Sequence, residues 1–294
     1  GNITAAVLNQ EYQITEITNA NEYTITAKNT LGVTVTANAL DTGNGGAAVV
    51  GEYQINTGLN TYVAASGFGA GTWGSSGWGG STPIGAGNQL RLWSQDTFGN
   101  DLIFCVRGGG IYYWDESVGT GTRGIALADK AGAVSPPTLA LQVMVSDTDR
   151  HTICFGSNPI GSTTLDPLFV RWSDQESPFD WTPTSTNTSG GVTLTAGSYI
   201  VGAIKTRQEI LIFTNNSIHS MRFSGAPFTY EFDVVNEGLS MVSPNAATNA
   251  GDMVFFMDRG GFYFYNGSVQ RLKCTVLDYV FSNINTAQEF KIFA

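Results

Sequence analysis

Charge is scarce in this chain: 13% of its 294 residues are Asp, Glu, Lys or Arg, and 14 of them are basic. The basic residues are scattered and the formal charge is −10. That argues against a surface built to hold nucleic acid, which needs clustered Lys and Arg. Histidine is rarer still. His151 and His219 are the only two, and neither has a Cys or His partner at ligand spacing, so no zinc site is indicated. Cys105, Cys154 and Cys274 are odd in number, far apart and set in apolar stretches. They predict buried free thiols and folding in a reducing compartment, not a disulfide framework. No apolar run approaches the ~20 residues that span a bilayer, and no charged start with an apolar segment behind it opens the sequence. Strong helix formers are few. No Gly-x-Ser-x-Gly elbow is present, no Cys-His or Ser-His pair can be argued from spacing, and no acidic pair is singled out. The expectation is a protein without catalysis, cofactor or metal.

What is there is turn and strand: 36 glycines, with abundant Thr, Asn and Ser. The stretch Asp252 to Gly267 sets the pattern. Met253 to Met257 is a continuous apolar run, as expected of a strand buried on both faces. Asp258-Arg-Gly-Gly supplies the turn, its glycines permitting positive φ, and Phe262 to Tyr265 returns as an aromatic strand. The same hairpin recurs at Asp101 to Val106 with Ile111 to Asp115, and at Glu209 to Phe213 with Ile218 to Phe223. A looser copy pairs His151 to Phe155 with Pro167 to Trp172. These strands start near positions 102, 151, 210 and 253, 43 to 59 residues apart, close to the ~40–50 residues of a propeller blade. Leu139 to Val145, Val192 to Thr195, Ile200 to Ile204 and Phe228 to Val235 read as further strands, the middle two in one blade with the Glu209 hairpin. Gln89 to Ser94 opens the series, ending in a turn at Asp96 to Asn100. The fold expected is all-β: a β-propeller, incomplete in this chain, with an inserted small antiparallel barrel or sandwich.

That small domain occupies residues 1–62, and blades fill 63–294. Glu11 to Thr18 and Tyr23 to Ala27 alternate apolar and polar residues, predicting a hairpin buried on one face. Gly32 to Ala37 and Gly51 to Ile55 offer further strands. Between Ser66 and Gly80 lies a glycine loop punctuated by Phe68, Trp73 and Trp78. These rings staple the loop to its own domain or present a platform for sugars; a phosphate loop is excluded, since no Gly-Lys-Ser/Thr follows. Asp147 and Asp149 stand at i and i+2 as at the start of a calcium loop, but the Gly and closing Glu are missing, which leaves a solvated turn. In Arg171 to Pro183, Ser173 and Asp174 are expected to bond their own backbone while Trp172 and Trp181 pack at a blade edge. The segment is similar to the Asp-box turns of sialidase propellers but lacks their Gly and Thr. Thr275, Val276, Asp278, Val280 and Ile284 predict a short capped amphipathic helix near 275–285. The abrupt start at Gly1 and the strand opening at Phe290 suggest a piece of a longer protein.

In order along the chain, Glu11-Tyr-Gln-Ile-Thr, Tyr23-Thr-Ile-Thr-Ala, Tyr53-Gln-Ile-Asn, Gly71-Thr-Trp-Gly, Trp78-Gly, Arg171-Trp-Ser to Trp181-Thr-Pro, Leu211-Ile-Phe-Thr with Ile218-His-Ser-Met, Phe262-Tyr-Phe-Tyr-Asn-Gly and Val276-Leu-Asp-Tyr-Val-Phe resemble the tail nozzle or tail hub proteins of short-tailed double-stranded DNA bacteriophages, the tail tubular protein B or phage stabilisation proteins. The resemblance implies a virion protein, assembled in the host cytoplasm. It implies a homo-oligomeric ring, usually a hexamer, below the portal and adaptor. Such a ring surrounds the DNA exit channel without specific binding and carries fibres or spikes. An acidic conduit suits passing DNA, because basic contacts would add affinity at every phosphate. Ring closure needs heterologous interfaces, for which Trp172 and Trp181 are candidate anchors. Two other readings remain open at this stage: a glycan-binding propeller using Trp73 and Trp78, and a sialidase-like hydrolase.

Overall fold

The computed structural model describes residues 3–39, apart from 11, 13, 20, 21 and 30, and residues 91–294, apart from 226 and 227. The chain divides into two compact units, Gly1–Ile55 and Asn56–Ala294. In the first, a single helical turn, α1 (Ala5–Leu8), precedes the hairpin β1 (Ile14–Asn19) and β2 (Glu22–Ile25). Tyr12 ties them together, its hydroxyl donating to Val7 O and accepting from Lys28 N at 3.3 Å. The alternation predicted one wet and one buried face, whereas β1 is exposed along its whole length, with Ile17 73% exposed. Nor do the described residues of this unit form a barrel or sandwich: beyond the hairpin they add one bridge, Lys28 to Thr34. Two strands have too few neighbours to bury an apolar face. The strand expected at Gly51 to Ile55, the glycine loop, Trp73 and Trp78 lie outside the described residues.

Among its described residues, the second unit holds four four-stranded antiparallel sheets, each an unbroken meander in chain order. The first comprises β3 (Trp93–Phe98), β4 (Asp101–Val106), β5 (Ile111–Trp114) and β6 (Ile125–Ala126). The next is β7 (Ala140–Val145), β8 (Thr152–Ser157), β9 (Phe169–Trp172) and β10 (Gly190–Thr193). Then come β11 (Ile200–Lys205), β12 (Ile210–Thr214), β13 (Ser217–Phe223) and β14 (Tyr230–Glu237). Last are β15 (Ala247–Ala250), β16 (Met253–Asp258), β17 (Gly261–Tyr265) and β18 (Val269–Arg271). The four opening strands begin at residues 93, 140, 200 and 247, hence 47, 60 and 47 residues apart.

The hairpins read from the apolar runs are real pairs, and three boundaries differ from expectation. The opening strand starts at Trp93 and runs through Asp96, with the turn at 99–100. Val192 closes the second sheet by pairing with Val170 and does not join Ile200. At Asp258 to Gly261 the strands join across two residues, with no positive φ at either glycine. A short helix, α2 (Leu277–Asn283), follows; its cap is Val276, with no side-chain cap bond, instead of Thr275. Phe281 on α2 packs on Phe262, ring centroids 5.6 Å apart. No helix among the described residues is long and apolar enough to cross a membrane.

Continuous apolar strands arise because each inner sheet is covered on both faces. On β12, Ile210 and Ile212 join Ile153, Phe155, Val170 and Trp172 in the core between the second and third sheets. Their neighbours Leu211 and Phe213 point the other way, to Val254, Phe256 and Tyr265 of the fourth. On β8, Cys154 turns from Ile153 and Phe155 towards Ile103, Cys105 and Tyr113 of the first sheet. Strand period 2 thus feeds two cores from one run of side chains. Phe213 meets Phe256 edge to face at 5.0 Å, the geometry aromatic quadrupoles favour.

Candidate functional site

The opening strand of each sheet is an edge strand, and an edge exposes backbone groups that demand partners. Here the neighbouring sheet supplies them through side chains. On β3, Ser94 and Asp96 share the inward face, and each accepts from a β7 amide, Val143 N and Val145 N, both at 2.9 Å. Gln142 on β7 reaches β11, donating to Ala203 O and accepting from Ala203 N, both at 2.8 Å, as a peptide group would. Asn249 on β15 donates to Lys205 O at 2.8 Å. Lys205 closes the row with ion pairs to Asp96 (2.7 Å) and Asp147 (2.8 Å). Burial opposes its charge, but these carboxylates outweigh that and raise its pKa.

The row of capped edges frames a cleft. One cavity of about 300 Å³ is lined by residues 92–96, Arg107, 141–144, Pro244 and Asn245. A second, of about 420 Å³, runs past Gln142, Ala203, Met241 and Ala247 to Phe293 and Ala294. The final residues return here, Ala294 N donating to Asn245 O at 2.9 Å. Gly202 on β11 is required by this closeness, since a Cβ there would stand 2.8 Å from Met241 Cε and 2.9 Å from Pro244 O.

A second polar centre lies between the second and third sheets. Asp149 accepts from Ser146 Oγ, from the Tyr230 hydroxyl and from His151 Nδ1, the last at 2.6 Å. His151 Nε2 is 3.0 Å from Thr188 Oγ1, which donates to Asp174 Oδ1 at 2.7 Å. Burial works against the Asp149 charge, and its three donors outweigh that, so its pKa sits below the usual carboxylate value. Burial, helped by Asp149, pushes the Tyr230 pKa up. The order Asp149, His151, Thr188 has the connectivity of a nucleophilic triad. Yet His151 and Asp149 are fully enclosed, with the Tyr230 ring packed edge-on against the imidazole at 5.3 Å. The arrangement can brace two sheets; it offers no path for a substrate.

Of the tryptophans singled out by the sequence, the two among the described residues, Trp172 and Trp181, fall within the chain's own packing. Trp172 is 7% exposed, T-shaped against Tyr230 at 5.1 Å, with Nε1 donating to Thr188 O at 2.8 Å. Trp181 is fully buried beside Cys105 and Cys154, and its backbone pairs with Val134. It anchors the connection after β9. Ser173 Oγ donates to Asp174 O within its own turn, as expected, and also accepts from Thr152 N, while Asp174 accepts from Thr188 N. Asp147 and Asp149 point to different partners, Lys205 and His151, so they are not a shared ligand pair. Cys105 and Cys154 are buried free thiols, Cys105 raised by burial to about 11; Cys274 is half-buried. The capping residues Ser94, Asp96, Gln142 and Asn249 were not foreseen. Gln142 carried the one available signal, a carboxamide inside an apolar run.

No protein family and no curated protein matches the chain. Among solved structures it is similar to the AfRom2 CNH domain, with a TM-score of 0.37 and 11% identity over 66% of this chain and 59% of that one. It is also similar to a mutant Synechocystis apocarotenoid oxygenase, with a TM-score of 0.34 and 14% identity over 66% of this chain and 45% of that one. The chain spans less than two thirds of each, and both scores lie below the level at which two folds are equated.

Proposed function

We propose that the four sheets are consecutive blades of a β-propeller and that the chain is a structural subunit of a bacteriophage tail, part of the ring-shaped nozzle or hub that conducts DNA. The observation that carries this reading is the row of edge strands β3, β7, β11 and β15 around one cleft, in which side chains of β3 cap the backbone of β7, and side chains of β7 and β15 cap that of β11. Radial sheets with mutually protected inner edges are how a propeller removes its edge liability. The polar groups in this region are engaged in holding backbone to backbone, which suits a part under mechanical load.

The outer faces of the first and fourth sheets support assembly. Trp93, Phe104 and Tyr112 form an aromatic row on the first, Phe104 stacking on Tyr112 at 5.4 Å. Phe255 and Phe264 pair on the fourth at 6.1 Å, beside the exposed Met253. Two different apolar faces at the ends of one stack suit head-to-tail association into a ring. The acidic balance of the chain suits a channel through which DNA slides without adhering. Negative-stain electron microscopy of the purified protein at high concentration tests the proposal. Closed rings with a central opening are the expected outcome; particles that stay monomeric at every concentration overturn it.

A further inference from the structure

Arg107 is a largely buried cation with no acid beside it among the described residues. It follows β4, at the junction of the first three sheets, where its Nη2 donates to Ile200 O at 3.0 Å and its Nη1 reaches Leu141 O at 3.5 Å. Burial lowers its pKa to about 10, and the groups that act on its charge are the Cys105 thiol and the Tyr199 phenol. No carboxylate pairs with it among the described residues. Arg171 shows what a purely structural arginine looks like in this protein. It is 2% exposed, donates to the carbonyls of Asn158, Ser135 and Trp181, and lies over the Trp181 ring. Arg107 has one good acceptor, one long one, and three N–H groups to spare.

It also borders a cavity of about 100 Å³, lined among others by Tyr199, Asn215, Ser240 and Ser243. That is room for about three waters or one small anion. Asn215 Oδ1 accepts from Ser198 N and Tyr199 N, which fixes the carboxamide so that Nδ2 is left to donate. The Tyr199 hydroxyl lies within electrostatic reach of both Arg107 and Arg259. Asp258 and Glu289 also line the cavity, and both are occupied. Glu289 is held by Arg259 through two bonds, and Asp258 accepts from Ser240 N and Gly260 N. Their charge disfavours an ion carrying two negative charges and leaves room for one carrying a single charge.

We propose that this cavity is a binding site for a small monocarboxylate, its two oxygens taken by the free fork of Arg107 and its rim by Tyr199 and Asn215. A planar guanidinium and a carboxylate match geometrically, and the site lies apart from the assembly faces, so it stands independently of the proposed function. The test is a titration of the purified protein with ¹³C-acetate, read by NMR line broadening at fixed ionic strength, with sulfate as competitor. Saturable broadening is expected, weakened about tenfold or more in Arg107→Gln, as one charge-assisted bond is worth. Tyr199→Phe, which removes only the hydroxyl of a half-exposed ring, guards against misfolding of the first variant and is expected to weaken binding by a smaller factor. Sulfate is expected to compete poorly. Absence of saturable broadening, equal binding by wild type and both variants, or sulfate displacing acetate at equal concentration would each overturn the site.

Discussion

At the scale of single residues, buried polar groups do more in this protein than hydrophobes of the same size could. Tyr230 and His151 hold the Asp149 carboxylate inside a core, and removing one donor leaves a buried acceptor short of a bond. Tyr230→Phe is expected to cost about 1–3 kcal/mol, measured by urea denaturation at pH 7. The folded pKa of Asp149 is depressed below the model-peptide value of 3.8. Its contribution is therefore complete above that value and lost as pH falls through the folded pKa. Acid unfolding followed by circular dichroism should show this loss below about pH 4, and the loss should shrink in Tyr230→Phe. His219 acts at milder pH. Burial lowers its pKa from 6.5 against the opposing bond to Ala196 O, so the unfolded chain takes up a proton first. Stability should start to fall as pH drops below about 6.5, and His219→Gln should remove that part of the slope.

Single strands serve two cores, and the two can be separated by adjacent substitutions. Ile212→Ala opens the packing between the second and third sheets, whereas Phe213→Ala opens that between the third and fourth. Each is expected to cost about 2–5 kcal/mol. Hydrogen exchange should lose protection in β9 for the first variant and in β16 for the second. Equal losses in both places would mean that the sheets do not behave as separable layers. Edge capping is an element-scale device too. Gln142→Ala strands both Ala203 N and Ala203 O, and exchange of β11 amides should speed up before those of β12. Gly202→Ala presses a methyl against backbone at Pro244; a cost of about 1–3 kcal/mol is expected, read by urea denaturation.

For the molecule as a whole, repetition organises everything. Four meanders in chain order, each opening near the cleft and closing away from it, need only short connections between consecutive sheets. The 60-residue step between the second and third opening strands carries the extra connection that Trp181 pins beneath the first and second sheets. A ring of such subunits should show the aromatic faces protected on assembly. Phe104→Glu and Phe264→Glu, each on a half-exposed face, should therefore leave the monomer folded by circular dichroism and abolish rings by electron microscopy.

The amino-acid sequence by itself determined that this is a β protein, where its hairpins turn, and that its strands repeat. Those features rest on local physics: apolar runs of strand length, and turn residues at fixed offsets. Met253 to Tyr265 shows how far this reaches, since both strands stand where the apolar run, the turn residues and the aromatic run placed them. Only the tertiary structure decided which strands share a sheet. Val192 went to the sheet before it, because hydrogen bonding to Val170 depends on where the chain returns and not on the residues around it. The same holds for Asp149 with Tyr230, 81 positions apart, and for Gln142 with Ala203, 61 apart. The exposed hairpin at Ile17 makes the converse point. Alternation says which side chains share a face, but burial requires a second surface to cover it, and no pattern within one strand encodes that.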